Sequence, residues 1–370
     1  MLFVLMLSLF LAACGGETEE PEENSDEPAN DEPANEDTEN AAGENEGETA
    51  GADIEEAEWK FITEELDGQV QYEYAEEFAK RISEKTGGKI TVTPYEYGGL
   101  GSEVDQVKSL QQGAVQLAVM SPGFTGNMVK EGQIFALHYL FPSDQRATQD
   151  ILNTSEAINT DLRARYEEYD ISPLGFWTEG AMAWTSNVGI EEPADFEGLK
   201  MRVQESPLMI KSYEAYGAAP QSLSWGELYT GLERGTVEGQ ENPIFFIYDA
   251  KFHEVQDTMT ISNHNNYVAM TTANTSWYNG LSDNLKKIVD ETIADMQDWV
   301  FDKQTELNNQ FLEEMKANEE YPTEIIELTE EQRAAFEELA VDVREFYRTD
   351  VSTVDGAILD KLEGEIEAAE

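Results

Sequence analysis

The sequence predicts an α/β fold divided into two lobes, with one long helix lying across both. Strand and helix patterns alternate from Trp59 onward, which predicts helices packed on a mostly parallel sheet. The chain has 370 residues, more than the roughly 100–150 of a typical single domain, so two lobes are expected. A helical period runs through residues 283–316, longer than one lobe needs, and we expect this helix to span the two lobes.

The first part of the globular sequence has the clearest alternation. Residues 59–63 predict a strand, residues 70–85 an amphipathic helix, and residues 89–95 a strand rich in β-branched side chains. Gly87 and Gly88 separate that helix from the second strand, because glycine adopts the left-handed turn that often ends a helix. A helix and an apolar strand follow, at residues 103–112 and 115–120, which completes a βαβαβ series.

The order of elements is less regular further along the chain. The expected elements are strands near Leu174, Ala183, Leu199 and Met259, helices around Pro207 and Leu228, and a helical stretch over residues 329–370 that is charged outside and apolar on one stripe.

A short apolar run precedes the only cysteine, Cys14. Small residues directly before a cysteine are typical of a lipoprotein signal, so we expect residues 1–13 to be removed and Cys14 to carry lipid. The run is about twelve residues, shorter than the roughly twenty that a spanning helix needs. The expected location is outside the cytoplasm, lipid-anchored on the outer face of the cell membrane or periplasmic. A signal normally opens with Lys or Arg, which this one lacks, so the position of the translation start is left open. The alternative that Cys14 follows the apolar run by chance is also left open.

Acidic residues dominate the composition, with 77 Asp and Glu against 23 Lys and Arg and a net charge of −54. Nineteen of them lie in residues 15–58, a stretch with no Lys or Arg and almost no large apolar side chain, which predicts a disordered acidic tether over residues 14–57. The charge on the rest of the chain repels phosphates, so we expect no nucleic-acid partner. Such a surface more often reflects a salty or alkaline medium than a binding partner.

Signatures of catalysis are mostly absent from the sequence. The only histidines are His138, His253 and His264, and none lies three or four residues from another, so we expect structural histidines and no metal site. Cys14 would be consumed by the lipid, and no serine-nucleophile or phosphate-binding motif occurs. Carboxylate pairs are too numerous here to indicate a glycosidase. We therefore expect neither an enzyme nor a cofactor.

Several motifs in order along the chain resemble the substrate-binding proteins of TRAP transporters, the DctP family. The motifs are YGGLGSE at 97–103, GLKMRV at 198–203, AP at 219–220, SWGELY at 224–229, GTVEGQENP at 235–243 and FHEV at 252–255. The resemblance implies a periplasmic-binding-protein-like fold with a solute-binding domain at residues 58–370. Its first lobe would take residues 58–179 and 268–307, and its second lobe residues 180–267 and 308–370.

The resemblance also implies a site in a cleft between the lobes. In that family an Arg at the end of a strand binds the substrate carboxylate, and the matching position here is Arg202. A guanidinium suits this role because it is planar, stays charged when buried and holds water weakly. Asn242 matches a polar contact from the hinge side, and Trp225 matches an aromatic position beside the ligand, with helix packing as its alternative role.

The remaining expected site residues come from the strand regions near the cleft. Many relatives have a second Arg at the position of Met182, so a ligand with two carboxylates fits less well here. Met182 and Trp177 predict an apolar or aromatic wall, with core packing as the alternative. Ser121 occupies the place of a carboxylate found in sialic-acid binders, which argues against sialic acid. Glu179 completes the expected set.

The resulting hypothesis is a binding lipoprotein that captures a small organic acid and delivers it to the TRAP membrane permease. Its ligand would carry one carboxylate and an apolar body, which includes monocarboxylic acids, hydroxy acids and zwitterionic compatible solutes. The alternatives are a binding protein of another transporter class, for a sugar, peptide or zwitterion, and a lipoprotein hydrolase. Another branch of the family binds 2-oxo acids through a metal, using an acidic residue followed by Trp. The corresponding residues here are Asn242 and Pro243, so a metal-bridged ligand is not expected.

Overall fold

The computed structural model describes residues 54–349 and 354–369. The predicted signal segment, Cys14 and most of the predicted tether lie outside these residues. Ile54 is buried and the first strand begins at Ala57, so the described fold includes the last residues that the sequence analysis assigned to the tether. Among the described helices, none combines the length and the apolar character needed to cross a membrane.

The strands of the described residues are β1 (Ala57–Ile62), β2 (Ile90–Tyr95), β3 (Leu117–Met120), β4 (Ile171–Ala181), β5 (Ala183–Ser186), β6 (Arg202–Val203), β7 (Gln221–Ser222), β8 (Gly239–Asn242), β9 (Thr258–Ile261), β10 (Asn266–Asn274) and β11 (Glu324–Glu327).

The α-helices of the described residues are α1 (Val70–Lys85), α2 (Glu103–Gln111), α3 (Pro122–Thr125), α4 (Gln145–Thr154), α5 (Arg163–Glu167), α6 (Pro207–Ala215), α7 (Trp225–Glu233), α8 (Ile244–Asp249), α9 (Thr275–Gly280), α10 (Asp283–Asp295), α11 (Gln297–Ala317), α12 (Glu330–Thr349) and α13 (Gly356–Ala369).

Lobe one contains a five-stranded sheet in the order β2-β1-β3-β10-β4. Strands β1, β2 and β3 run parallel, as the βαβαβ pattern predicts. Strand β10 is antiparallel to both of its neighbours, so the sheet is mixed and the expected mostly parallel sheet is only partly correct. The reason is topological: β4 leaves lobe one for lobe two, and β10 returns beside it in the opposite direction.

Lobe two contains a four-stranded sheet in the order β11-β9-β5-β8. Strand β5 is antiparallel to both β8 and β9, whereas β11 and β9 are parallel. The short parallel pair β6-β7 adjoins this sheet through a bridge between Met201 and Gly239. Arg202 is the first residue of β6 and directly follows this bridge, so it lies at the edge of the lobe-two sheet, next to the start of β8.

The long helix predicted over residues 283–316 is confirmed as one bent helix, whose two parts are α10 and α11. They meet at Met296, whose N–H donates to the carbonyl of Ile293, a tighter i to i−3 bond, at 3.2 Å. Helix α11 lies against both lobes: the amide of Asn308 donates to the Glu179 carbonyl of β4 at 2.9 Å, and its oxygen accepts from the N–H of Phe245 in α8 at 3.2 Å. The two helices therefore cross the molecule as expected.

The C-terminal helices divide between the two lobes. Phe336 of α12 packs on Trp184 of β5, with ring centroids 5.0 Å apart. Lys361 of α13 instead forms an ion pair with Asp161 of lobe one at 2.8 Å, and Glu365 accepts a hydrogen bond from the Ser155 hydroxyl. Helix α13 therefore differs from the expected division, which placed all residues after 307 in lobe two.

Candidate functional site

A cavity lies between the two lobes, where strands β4 and β10 cross from one to the other. About 390 Å³ of space at this place is continuous with open solvent. Its walls are Ser121, Pro122, Gly123, Gly132, Gln133, Phe135 and Ala136 of lobe one, Met182, Gln204, Ser206, Met209 and Glu241 of lobe two, and residues 265–268 at the start of β10.

The lobes contact each other directly around this cavity. The side-chain oxygen of Gln133 accepts hydrogen bonds from the Ser206 hydroxyl at 3.1 Å and from the Leu208 N–H at 2.9 Å. Gly123 approaches Gln204 so closely that a Cβ atom at Gly123 would come 1.5 Å from the Gln204 side-chain oxygen. The cavity is therefore enclosed by lobes that are in contact, which is the geometry that buries a bound solute.

Arg202 does not line this cavity itself but is buried close to two residues that do, Tyr267 and Glu241, and part of its hydrogen-bonding capacity is unused. Its side chain is 3% exposed, its Nε donates to the carbonyl of Leu223 at 3.0 Å, and its Nη2 is buried without a partner among the described residues. Burial lowers the pKa of Arg202, while the nearby phenol of Tyr267 and the carboxyl of Glu103 raise it. A buried guanidinium with free N–H groups is costly unless an anion accepts from them.

Three buried carboxyl groups lie on the lobe-one side of the cleft. Glu64 accepts from the N–H of Ser121 at 3.0 Å, Glu65 accepts from the N–H of Gln71 at 2.7 Å, and Glu179 accepts from the Gln71 amide at 2.9 Å. Each of the three has one buried oxygen that no donor from outside the group reaches, and Glu65 and Glu179 hydrogen-bond to each other. These groups form a compact acceptor surface, which we call the acidic cluster (Glu64, Glu65 and Glu179).

The acidic cluster is electrostatically strained when it is ionised. Burial raises the pKa of Glu65 to about 8, and it raises the pKa of Glu64 and Glu179 well above their usual value. The carboxyl groups also raise one another's pKa, because like charges close together oppose ionisation. A cation placed at the cluster would relieve this strain by compensating the negative charge.

Tyr267 connects the acidic cluster with Arg202. Its phenol lines the cavity and lies near the Arg202 guanidinium. The same phenol has its own pKa raised by burial and by the charges of Glu64 and Glu179. One side of the cleft therefore offers a free cationic N–H, and the other side offers free carboxyl oxygens, with Tyr267 between them.

Three of the residues proposed from the sequence lie at the cavity or in the acidic cluster. Ser121 and Met182 line the cavity, and the Ser121 hydroxyl is buried without a partner. Glu179 belongs to the acidic cluster. Sequence analysis did not select Glu64 and Glu65, although both directly follow a strand of a parallel series, the end at which such sheets bind ligands.

The other proposed residues lie further back. Asn242 is buried, and its amide donates to the Gln240 oxygen at 2.5 Å. Trp225 packs edge-on against Phe246, with ring centroids 5.0 Å apart. These two residues do not line the cavity described above.

Trp177 belongs to the core of lobe one. Its ring stacks on Tyr74, with centroids 5.0 Å apart, and its Nε1 donates to the Thr271 hydroxyl at 3.0 Å. The core-packing role that the sequence left open for this residue is therefore the one observed.

The fold also brings together two histidines and a carboxylate that are distant in sequence. His138, Glu241 and His264 are all buried, and one potential ligand atom from each lies within 4.8 Å of the others. The spacing of the three histidines along the chain gives no sign of this group, because no two of them are close in sequence. No local spacing could have found it, because its members come from three separate segments.

The chain matches the DctP family, described as bacterial extracellular solute-binding protein, family 7, over residues 61–350. It belongs to this family of TRAP transporter solute-binding proteins. Accordingly, the protein is a non-enzymatic, extracytoplasmic binding protein for a small solute, and its transport partners are those of a TRAP system.

Two similar DctP-family members bind compatible solutes. The ectoine/5-hydroxyectoine-binding periplasmic protein UehA of Ruegeria pomeroyi is 33% identical over 320 residues, which cover 86% of this chain and 93% of UehA. The periplasmic ectoine-binding protein of the TeaABC TRAP transporter of Halomonas elongata has a solved structure that matches this fold with a TM-score of 0.81 at 32% identity. That match covers 84% of this chain and 100% of the other.

A third relative is named for a different ligand class. The C4-dicarboxylate-binding periplasmic protein DctP of Rhodobacter capsulatus is 31% identical over 272 residues, which cover 73% of this chain and 80% of that protein. Proteins named for binding ectoine and proteins named for binding C4-dicarboxylates are therefore similar to this chain at nearly the same identity, 33% and 31%.

Proposed function

We propose that this protein captures a small zwitterionic solute of the ectoine type in the inter-lobe cleft and delivers it to a TRAP membrane permease. Arg202 binds the solute carboxylate, and the acidic cluster binds its cationic part. The observation that supports the proposal is a buried guanidinium with an unpaired Nη2 and three buried carboxyl groups, all close to Tyr267 in the cavity wall. Zwitterions satisfy both kinds of group at once.

The charge inventory favours a zwitterion over a plain organic acid. An organic acid would pair with Arg202 and leave the acidic cluster unpaired or protonated. A dicarboxylate needs a second cation beside Arg202, and the cavity lining, to which Arg202 itself does not belong, contains no Lys or Arg. The two ectoine-binding relatives support the same choice, since ectoine carries one carboxylate and one delocalised cationic amidine.

A thermal-shift screen of purified protein tests this proposal. At a hundred times its dissociation constant, a ligand stabilises the folded state by about 2.7 kcal/mol, which is readily seen as a rise in Tm. We expect ectoine or a close zwitterionic analogue to raise Tm, and succinate and neutral polyols to leave it nearly unchanged. A shift with succinate and none with any zwitterion would refute the zwitterion assignment in favour of an organic acid.

We also propose that the protein is held at the membrane by lipid on Cys14, with the acidic segment that follows as a tether. The small residues before this cysteine support the proposal. Cells fed a labelled palmitate analogue should yield labelled protein in the membrane fraction, and Cys14→Ser should abolish the label and release the protein. Labelling that persists in Cys14→Ser would show that the lipid is attached elsewhere.

A further inference from the structure

His138, Glu241 and His264 form a buried group behind the solute cavity. His264 Nε2 is 2.6 Å from a Glu241 carboxylate oxygen, and the rings of His138 and His264 are edge-to-face with centroids 4.6 Å apart. Glu241 also lines the solute cavity, so the group is connected with the space between the lobes. Nothing in the capture of a solute by Arg202 and the acidic cluster requires a pair of imidazoles at this place.

Two atoms in this group are buried without hydrogen-bond partners. They are Nε2 of His138 and Oε1 of Glu241. An unpaired buried nitrogen or carboxylate oxygen is costly, and such atoms in a folded protein usually have a bound partner. Two such atoms in one group with a second imidazole indicate that a ligand is missing from the arrangement.

The second nitrogen of each imidazole is held by a hydroxyl group. Nδ1 of His138 lies 2.9 Å from the Tyr216 hydroxyl, and Nδ1 of His264 lies 2.7 Å from the Ser262 hydroxyl. These contacts fix the ring orientations, leave Nε2 of both imidazoles available for a metal, and place Nε2 of His264 against Glu241. Metal-binding histidines are characteristically oriented in this way, through a hydrogen bond on the nitrogen that does not bind the metal.

We propose that His138, Glu241 and His264 form a binding site for a divalent transition-metal ion, with zinc as the reference ion. Two imidazoles and one carboxylate suit zinc and its neighbours, whereas magnesium and calcium prefer oxygen ligands throughout. Zinc binds such ligands at about 2.0–2.2 Å, which brings the ligand atoms to about 3.4 Å from one another. The ligand atoms already lie within 4.8 Å of one another, so modest side-chain movement closes the site.

Tyr213 is the nearest candidate for the fourth position. Its hydroxyl donates to Glu241 and lies 3.3 Å from His264 Nε2. In the metal-free state this hydroxyl and His264 both share the same Glu241 oxygen, so metal binding requires that these hydrogen bonds rearrange. The guanidinium of Arg333, held on the Ser262 carbonyl at 2.6 Å, is a nearby positive group that repels any cation at the site, so the bonds from the three ligands must outweigh this repulsion.

The test is a titration of the chelator-treated full chain with Zn²⁺ alone, followed by calorimetry and by measurement of protein-bound metal after desalting. We expect one tightly bound equivalent in the unmodified protein, and its loss in His138→Asn and in Glu241→Gln. His253→Asn is the matched control, because His253 stacks on Tyr248 away from the group, and it should retain the bound equivalent. Circular dichroism verifies that each variant is folded.

Weak zinc binding of equal strength in all variants would overturn the proposal, because it would come from the many surface carboxylates. If Glu241→Gln does not fold, His138→Asn and the Co²⁺ absorption spectrum decide: tetrahedral d–d bands that vanish in His138→Asn support the site, and their absence from the unmodified protein contradicts it. No solute is used, so a negative result leaves the solute-binding proposal untouched.

Discussion

At the residue scale, the account depends on buried charges that the protein alone leaves incompletely paired. Arg202 has one contact to the Leu223 carbonyl and a free buried Nη2, and the carboxyl groups of the acidic cluster have free oxygens. A protein stabilised only by its own contacts would gain nothing from such groups, since each carries a desolvation cost. Their presence is explained if a solute carries both charges, so that its anionic part pairs with Arg202 and its cationic part pairs with the acidic cluster.

Replacing Arg202 by Ala should weaken solute binding by about 2–5 kcal/mol, as for truncation of one partner in a buried charge pair. Calorimetric titration with ectoine measures this loss. Arg146→Ala is the matched control, because Arg146 pairs with Asp298 on the surface and should bind the solute unchanged. Equal affinities for the protein and for Arg202→Ala would remove Arg202 from the site.

The pH dependence of affinity should distinguish a zwitterion from an anion. Glu65 holds its proton in the empty cleft up to about pH 8, because burial raises its pKa to about 8. A bound cation favours the ionised form, so binding releases a proton and affinity for the zwitterion rises from pH 6 to pH 8. His138, with its pKa lowered to about 3, stays neutral throughout this window.

Calorimetry at pH 6, 7 and 8 measures this trend, and buffers of different ionisation enthalpy count the released protons. Glu65→Gln should bind more weakly at pH 8 and show a flatter pH profile. An affinity that falls steadily as the pH rises would instead indicate that the carboxyl groups repel an anionic ligand.

Only part of this site can be predicted from the sequence. Arg202 stands out because it is the arginine of the GLKMRV motif, which resembles the carboxylate-binding segment of the family. Glu64 and Glu65 do not stand out among 77 acidic residues, since burial, which makes them unusual, depends on how α1 and β4 pack. The position of Trp177 was not predicted for a different reason. The alternation of a strand shows which side chains share a face, but it does not show which face lines the cavity.

At the element scale, the crossing strand β4 and the helix α11 fix the position of the cleft. Gly180 lies near the end of β4 with φ of +120°, a conformation that side chains rarely adopt. A Cβ atom there would come 2.6 Å from the Asn308 amide of α11. Because Gly180 has no side chain, β4 packs closely against α11 at the point where the chain leaves lobe one.

Gly180→Ala should therefore destabilise the protein by about 1–3 kcal/mol, the usual cost of a strained backbone position. Denaturant unfolding followed by circular dichroism measures the change. Gly364→Ala is the control: Gly364 lies within α13 with open space around its Cα, and alanine there should stabilise by about 0.5–1 kcal/mol. Equal stability of Gly180→Ala and the unmodified protein would contradict the tight packing of β4 under α11.

The elements that the sequence predicts best are those whose pattern is local. The helix over residues 70–85 is found with those bounds, and Gly87 and Gly88 both have positive φ as expected. The direction of β10 and the docking of α13 on lobe one were not predicted, because they depend on partners far away in the chain. The bend at Met296 could not be predicted, because no proline or glycine marks it in the sequence.

At the scale of the whole molecule, solute capture requires the lobes to move apart and close again. Contacts such as Gln133 to Ser206 and Gly123 to Gln204 are made between lobes, so they break when the cleft opens. A solute that pairs with the buried charges of both walls binds the closed state more tightly than the open state, and it therefore stabilises the closed state.

Small-angle scattering should therefore show a smaller radius of gyration with saturating ectoine than without it. Arg202→Ala at the same solute concentration should show little compaction, since the solute no longer bridges the two walls. A radius of gyration that does not change in the unmodified protein, at a concentration where calorimetry shows binding, would exclude closure by the solute.

The most direct test of the central claim is a crystal structure of the protein grown with ectoine. The account predicts the ectoine carboxylate within about 2.7–2.9 Å of the Arg202 guanidinium, the range of charge-assisted hydrogen bonds, and the amidine against the acidic cluster. A bound ectoine that touches neither Arg202 nor Glu64, Glu65 or Glu179 would contradict it.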